Sequence, residues 1–359
     1  MTEAAIEVAG LTAGYGRTTV LHGVDLSVRR GEFIAMLGSS GCGKTTLLRT
    51  IAGFQQGFVG AIRLFGKDVA PLPPEKRGLA MVFQSYALWP HMTVLGNVGY
   101  GLKLRGVSRE DIRKRVGAVL AMLNLAGLEE RKVTDLSGGQ RQRVALGRAL
   151  AIEPDVLLLD EPLSNLDAKV RLQLRDEIKS LQKKLGFTAL HVTHDREEAM
   201  TMADRIVVMN AGRIAQLGAP EEVYDKPASP FIATFMGADN RLDLDIRRAG
   251  DGHDLITPAG TLHARGERGW PDGPATVYFR DSAASIVAPD ARDADALVLP
   301  AAITHRSYPG GHYRYGVEAA GRQFTVTDGD YHEQGPSIGL KLPFSAMHVF
   351  SRTDHQQGG

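Results

Sequence analysis

Two clusters of residues in this chain have the types and spacing to do chemistry. Gly38-Ser39-Ser40-Gly41-Cys42-Gly43-Lys44-Thr45 satisfies the pattern G-x-x-x-x-G-K-[ST]. Its glycines let backbone N–H groups turn inward around phosphate oxygens, and a helix opening at the lysine adds positive potential. Lys44 can then reach β- and γ-phosphates, Thr45 can offer its hydroxyl to Mg2+, and Thr46 continues the same helix end. The second cluster, Asp160-Glu161, ends the apolar run Val156-Leu157-Leu158-Leu159. Carboxylates at the carboxyl end of a buried strand stand where open α/β sheets bind ligands. Asp160 would hold Mg2+ through water, and Glu161 would orient and deprotonate an attacking water. A solvated strand end is the alternative for the acids alone; the phosphate loop upstream weighs against it.

A third signal is Leu136-Ser137-Gly138-Gly139-Gln140, opening a helix with the apolar stripe Leu146, Ala149 and Leu150. Ser137 is placed as an N-cap. A cap alone explains Ser137, but not the whole unit, whose glycines permit close backbone approach to an anion. Cys42 sits inside the phosphate loop at a helix start, where a thiol can be activated; a small filler is the alternative. The arginines of 141–148 read as a solvated helix face with salt bridges, or as a basic patch for nucleic acid.

The elements that must position these groups alternate between strand and helix. Ile34-Ala35-Met36-Leu37, the run at 156–159 and Ala189-Leu190-His191-Val192 predict buried parallel strands. Residues 44–52 predict a helix with Leu47, Leu48 and Ile51 on one face. Asp195 should cap a helix, with Glu198 as its capping-box partner. The strands 205–209 and 213–217 flank Asn210-Ala211-Gly212, a hairpin turn. Together they predict an α/β fold, a parallel sheet with helices on its faces. Between strands, 108–128 reads as a helical insertion with Ile112, Val116, Val119, Leu120 and Leu123 inward. Near 227–240, Pro227, Ala228, Ser229, Pro230 and Gly237 mark a linker. Beyond it the strand-like segments 275–280, 312–318, 323–327 and 347–350, separated by turns such as Pro309-Gly310-Gly311, predict a small β-barrel. The tail from His355 should fray.

Composition narrows the classes. With 359 residues, 43% of them hydrophobic and 23% charged, the chain is long enough for two globular domains and is no disordered or fibrous chain. Lys+Arg of 42 against Asp+Glu of 41 leaves a net charge of +1, so no strong field points to nucleic acid or an anionic membrane. One cysteine allows no intrachain disulfide and suits a reducing cytosol. No apolar run approaches 18 residues, so none is expected to span a bilayer, and MTEAAIEVAG does not read as a signal peptide.

The order of the phosphate loop, Gln84, 136–140, 156–161, Ser164-Asn165-Leu166-Asp167 and His194 resembles the nucleotide-binding subunit of ABC transporters. Within that superfamily it is similar to importer subunits with a C-terminal TOBE barrel, which serve sugars, polyamines, ferric iron, sulfate and phosphonates. The resemblance implies an α/β P-loop NTPase over 1–236, a RecA-like ABC core with a helical subdomain at about 85–153. A small all-β OB-like regulatory barrel over 237–359 follows, where Val277-Tyr278-Phe279-Arg280-Asp281 replaces the family's frequent Arg-Pro-Glu.

By the same resemblance, Lys44, Gln84, Glu161 and His194 are catalytic. Glu161 is the base, Gln84 touches Mg2+ and the water, and His194 bonds the γ-phosphate. Gly38, Ser39, Ser40, Gly41, Cys42, Gly43, Lys44, Thr45 and Thr46 cradle ATP, and Tyr15 stacks on adenine unless it is only a loop tyrosine. Ser137, Gly138, Gly139 and Gln140, with Asp167 in a crossing loop, complete the ATP of a second copy, so the enzyme is a head-to-tail homodimer around two ATP. Thr45, Gln84 and Asp160 serve Mg2+. His191 is the structural histidine of the pair.

The implied partners are two transmembrane permease subunits, fed by a periplasmic or lipid-anchored substrate-binding protein, at the cytoplasmic face of a bacterial inner membrane, with no nucleic acid. The region 84–100 (QSYALWPHMTVLGNVGY) would hold the groove for a permease helix, near Tyr86, Leu88 and Trp89, whose alternative is core packing. The expected cargo is a polyamine, ferric iron or a phosphonate. Rival readings are a soluble ABC protein of DNA repair or translation, an exporter cassette, and an oligonucleotide-binding barrel. One cassette without a heptad run, the barrel itself, and its sparse basic–aromatic interleaving argue against them in turn.

Overall fold

The computed structural model describes residues 4–335 and 337–352. The expected frayed tail and the first three residues lie outside that span. The chain divides into two compact units, Met1–Glu221 and Glu222–Gly359.

The first unit is built on a six-stranded sheet in the spatial order Arg213–Gly218, Arg205–Asn210, Phe33–Gly38, Thr188–Val192, Val156–Asp160, Leu79–Val82. All neighbours are parallel except the terminal hairpin. Its central strands are apolar on both pleat faces because both are covered. Ile34, Met36, Leu158 and Leu190 face one core with the helix Lys44–Ala52, while Phe33, Leu157, Leu159 and Ala189 face another with the helical insertion. The hairpin turns at Ala211 (φ 43°) and Gly212 (φ 75°), two successive left-handed residues as its tight reversal requires.

A second sheet, antiparallel, pairs Ala4–Tyr15 with Thr18–Arg29 on one side and Val59–Leu64 on the other. The sequence pattern predicts no element there. The helical insertion is Val94–Leu104, Arg109–Met122 and Gly138–Leu150. Ser108 caps the middle helix, its hydroxyl accepting the Asp111 N–H, and that helix stops at Met122, short of the expected 128.

Among the described residues, no helix is long and apolar enough to cross a membrane.

The second unit stacks two five-stranded antiparallel sheets around one apolar core. One contains Gly273–Phe279 and His348–Ser351, the other Tyr313–Ala319 and Arg322–Asp328, the four segments foreseen from sequence. The linker expected at 227–240 is corrected in part. Pro230–Phe235 is a helix, with Pro230 in its first turn and the Ser229 hydroxyl accepting the Ile232 N–H, so the supposed breakers are its start signal. Ala233 and Ala238 pack on Tyr278, and the Arg280 guanidinium lies 3.3 Å above the Tyr224 ring. These contacts place the segment within the second compact unit.

Candidate functional site

The phosphate loop connects a fully buried strand to a helix whose N-cap, Gly43, has φ 106° and supplies no side-chain cap. The helix's first amides are therefore left for an incoming anion. Gly38 has φ 155°, and a Cβ there would stand 2.5 Å from the Met209 carbonyl oxygen and 2.6 Å from Cys42 Sγ. Only glycine leaves the loop this compact. The hairpin turn secures the loop from behind, Gly212 N–H donating to the Cys42 carbonyl at 3.0 Å. Cys42 is buried, its sulfur 3.7 Å from Lys44 Nζ, so it fills space inside the loop. The buried Lys44 ammonium donates to the carbonyls of Gly38 (2.7 Å) and Ser39 (3.0 Å).

The other groups stand at the carboxyl ends of neighbouring parallel strands, the edge where such sheets bind ligands. The Thr45 hydroxyl donates to Asp160 Oδ1 at 3.0 Å, and Arg49 lies 3.6 Å from Oδ2. Burial holds the Asp160 carboxyl above its ordinary range; the Thr45 hydrogen bond and Arg49 oppose this, Glu161 adds to it, and Lys44 opposes it again. A divalent cation would relieve that burial, and the paired hydroxyl and carboxylate are the hard oxygen donors Mg2+ takes. The pair fits a Mg2+ held jointly with substrate phosphates.

Glu161, one residue past its strand, has φ 45°, a left-handed conformation rarely adopted by a side-chain-bearing residue. Its N–H donates to the Val192 carbonyl (3.1 Å), and its own carbonyl accepts the Ser164 hydroxyl (3.0 Å). This strained placement aims the carboxylate outward. Gln84 Nε2 donates to Glu161 Oε2 at 3.2 Å, and His194 Nδ1 lies 3.4 Å from the same oxygen. Three residues from three strand ends thus meet at one atom.

His191 is buried, with Nε2 3.2 Å from the buried Glu198. Asp195 caps the helix Arg196–Met202 as foreseen, accepting from the N–H groups of Glu197 and Glu198, but the capping box is corrected. The Glu198 side chain turns inward to Thr193 and His191 instead, because a buried hydroxyl and ring nitrogen need an acceptor more than an exposed amide does.

Ser137 and Gln140 form a complete capping box, and their side-chain bonds stay within it. A Cβ on Gly139 would stand 2.9 Å from Val170, in the helix that Asp167 caps through Val170 N–H. Asn165 Nδ2 donates to the Gln84 carbonyl at 3.2 Å. Tyr15 is about half exposed at a strand end, its hydroxyl 3.5 Å from Thr46 Oγ1. Tyr86 and Leu88 pack into the helical core, whereas Trp89 tilts on Tyr100 at 4.3 Å. Of the arginine run, Arg143 forms a two-pronged pair with Glu177. Sequence reasoning missed Arg49, although its place one turn after Thr45 on the same helix was a usable signal. It also missed Glu198 as a buried anchor.

Residues 21–164 match a family model described as ABC transporter. The sn-glycerol-3-phosphate import ATP-binding protein UgpC 1 of Rhizobium johnstonii is 45% identical over 352 residues, covering 97% of this chain and 94% of its own. The Fe(3+) ions import ATP-binding protein FbpC 1 of Rhizobium meliloti is 45% identical over 332 residues, covering 92% of each. Among solved structures, the dimeric structure of a post-hydrolysis state of the ATP-binding cassette MJ0796 bound to ADP and Pi is similar with a TM-score of 0.55 at 30% identity, covering 60% of this chain and 98% of that one. The structure of cbiO1 from Clostridium perfringens, part of the complex cbiONQ, is similar with a TM-score of 0.58 at 31% identity over 62% of this chain and 92% of that one.

Proposed function

The chain belongs to the ABC transporter family as an ATP-binding subunit of an importer, and from that membership we propose the roles of its site residues, its assembly and its cargo class. It is an ATPase whose hydrolysis energises solute import. The observation that carries the site assignment is the meeting of Gln84 and His194 at Glu161 Oε2, beside the Thr45–Asp160 pair.

Lys44 and the loop amides bind the β- and γ-phosphates, with Tyr15 against adenine. Thr45, Asp160 and Gln84 hold Mg2+, which would neutralise phosphate charge when bound. Glu161 takes a proton from the water attacking the γ-phosphorus as the bond to the β–γ bridging oxygen breaks, and ADP and phosphate result. His194 and Gln84 orient the γ-phosphate and the water. Ser137, Gly138, Gly139, Gln140 and Asp167 serve a second copy in a head-to-tail homodimer around two ATP, because charge compensation is needed on every side of the γ-phosphate. The cassette spans 1–236 with its helical subdomain at 85–153, and the remainder is a TOBE-type regulatory domain.

The subunit works on two permease subunits at the cytoplasmic face of a bacterial inner membrane, fed by a substrate-binding protein. The cargo class is ferric iron, a polyamine or a phosphonate. The relatives named for Fe(3+) import support the first, and the sn-glycerol-3-phosphate relative makes a phosphate ester the competing class. Glu161→Gln should keep ATP binding, trap the closed dimer and lose about 10²–10⁴-fold in turnover. Near-native turnover in that variant refutes the base assignment.

A further inference from the structure

The loop that carries Gln84 leaves the site in a conformation its residues resist. Tyr86 (φ 64°) and Ala87 (φ 47°) are two successive left-handed residues, neither of them glycine. Each such placement costs free energy and persists only where surrounding structure over-determines it. The Tyr86 ring is buried in the helical core, and its hydroxyl has no hydrogen-bond partner among the described residues. A buried, unpaired hydroxyl adds to the cost of this conformation.

Asn97 fixes the loop's far end, bonding the N–H and carbonyl of Trp89, but at the left-handed pair itself the opposing side chain is an arginine. Arg148, in the last turn of the helix Gly138–Leu150, sends Nη2 to the Tyr86 carbonyl at 2.8 Å and Nη1 to the Ala87 carbonyl at 2.6 Å. Its guanidinium also lies 4.9 Å from the Trp89 ring centroid, a cation–π contact. The planar fork spans the two adjacent carbonyls of the left-handed pair with one nitrogen to each, a geometry a lysine ammonium does not reproduce. The far end of the same rigid helix is the Ser137–Gln140 capping box. Gln84, two residues before Tyr86, reaches Glu161 Oε2.

We propose that Arg148 is a positioning residue that latches the strained 86–87 turn, so that the orientation of the Gly138–Leu150 helix sets whether Gln84 reaches Glu161. The latch touches neither nucleotide nor water, and its effect passes through Gln84. The inference rests on the assignment of Glu161 as base.

The test uses the full-length protein and steady-state ATP hydrolysis. Arg148→Lys should lower kcat roughly tenfold while the KM for ATP stays within about twofold, because binding is untouched and only alignment is lost. Ala87→Gly accepts the left-handed backbone without strain. Introduced with Arg148→Lys, it should recover most of the lost kcat, which a residue that merely stabilised the fold would not permit. With Trp270→Phe leaving Trp89 as the sole tryptophan, ATP should change Trp89 emission in the parent but not with Arg148→Lys. Turnover of Arg148→Lys within twofold of the parent overturns the latch. So does a loss that Ala87→Gly leaves unrecovered, or one accompanied by lost ATP binding. Glu161→Gln run in parallel separates the two readings: if it retains turnover the base assignment fails, and if it is inactive while Arg148→Lys is native-like only the latch fails.

Discussion

Glu198 is buried beneath the His194 loop, and its removal is the most quantitative perturbation the site allows. Its Oε2 accepts the Thr193 hydroxyl at 2.6 Å and lies 3.2 Å from His191 Nε2. His191 Nδ1 has no partner among the described residues, and its Nε2 faces the carboxylate. Thr193 Oγ1 in turn accepts the Asp195 N–H at 3.0 Å, and Asp195 lies 3.6 Å from Arg171. His194 is thereby held between two anchored neighbours. Glu198→Ala leaves two buried donors without an acceptor, at about 1–3 kcal/mol each. The two together cost about 2–6 kcal/mol. For a unit of this size each kcal/mol lowers the melting temperature by about 2–4 °C, so a fall of about 10 °C is expected in far-ultraviolet circular dichroism.

The effect also carries a pH signature. Burial pushes the Glu198 carboxyl up, but the hydrogen bond and charge of His191, the Thr193 hydroxyl and Arg171 outweigh it and hold the carboxyl below its ordinary value. A depressed carboxylate contributes stability that is present above the unfolded value near 4.5 and is lost as pH falls through the folded one. The gap between parent and variant should therefore be full at pH 7 and close in acid. A variant melting within about 2 °C of the parent at pH 7 would show that the network is not a structural anchor.

Two further perturbations follow from charges next to buried groups. Arg49→Met removes a cation that lowers the Asp160 carboxyl, so in the metal-free protein that carboxyl should titrate at higher pH by carbon-13 NMR; an unmoved titration would disconnect Arg49 from Asp160. In the second unit, burial and then the Arg280 charge push His348 down to about 4, against Asp225. The folded ring resists a proton that the unfolded chain accepts below about 6.5, so this unit should lose stability as pH falls from 6.5 towards 4. His348→Gln should flatten that dependence in melting curves, and an unchanged slope would rule out His348 as its source.

The parts of this protein legible in its residues are those in which neighbours along the chain settle the outcome. A phosphate loop needs glycine at fixed offsets and a helix directly after it, and residues 38–52 carry both. The Ser137, Ser108 and Asp167 caps and the Asn210-Ala211-Gly212 turn are decided within four residues. The same local logic misled at 227–240, where proline and serine were read as breakers and begin a helix. The antiparallel sheet around Ala4–Tyr15 escaped notice, although its hairpin with Thr18–Arg29 closes locally, because repeated register shifts along Ala4–Gly14 break the alternation that marks a strand. Glu161 acquires its partners only when three strands lie side by side, since Gln84, Glu161 and His194 are remote in the chain and adjacent at one sheet edge. Likewise, Arg148 reads as one more surface cation until folding sets it against the carbonyls of Tyr86 and Ala87. Local residue types thus specified which chemical groups exist, whereas hydrogen bonds between distant strands and helices chose which of them meet.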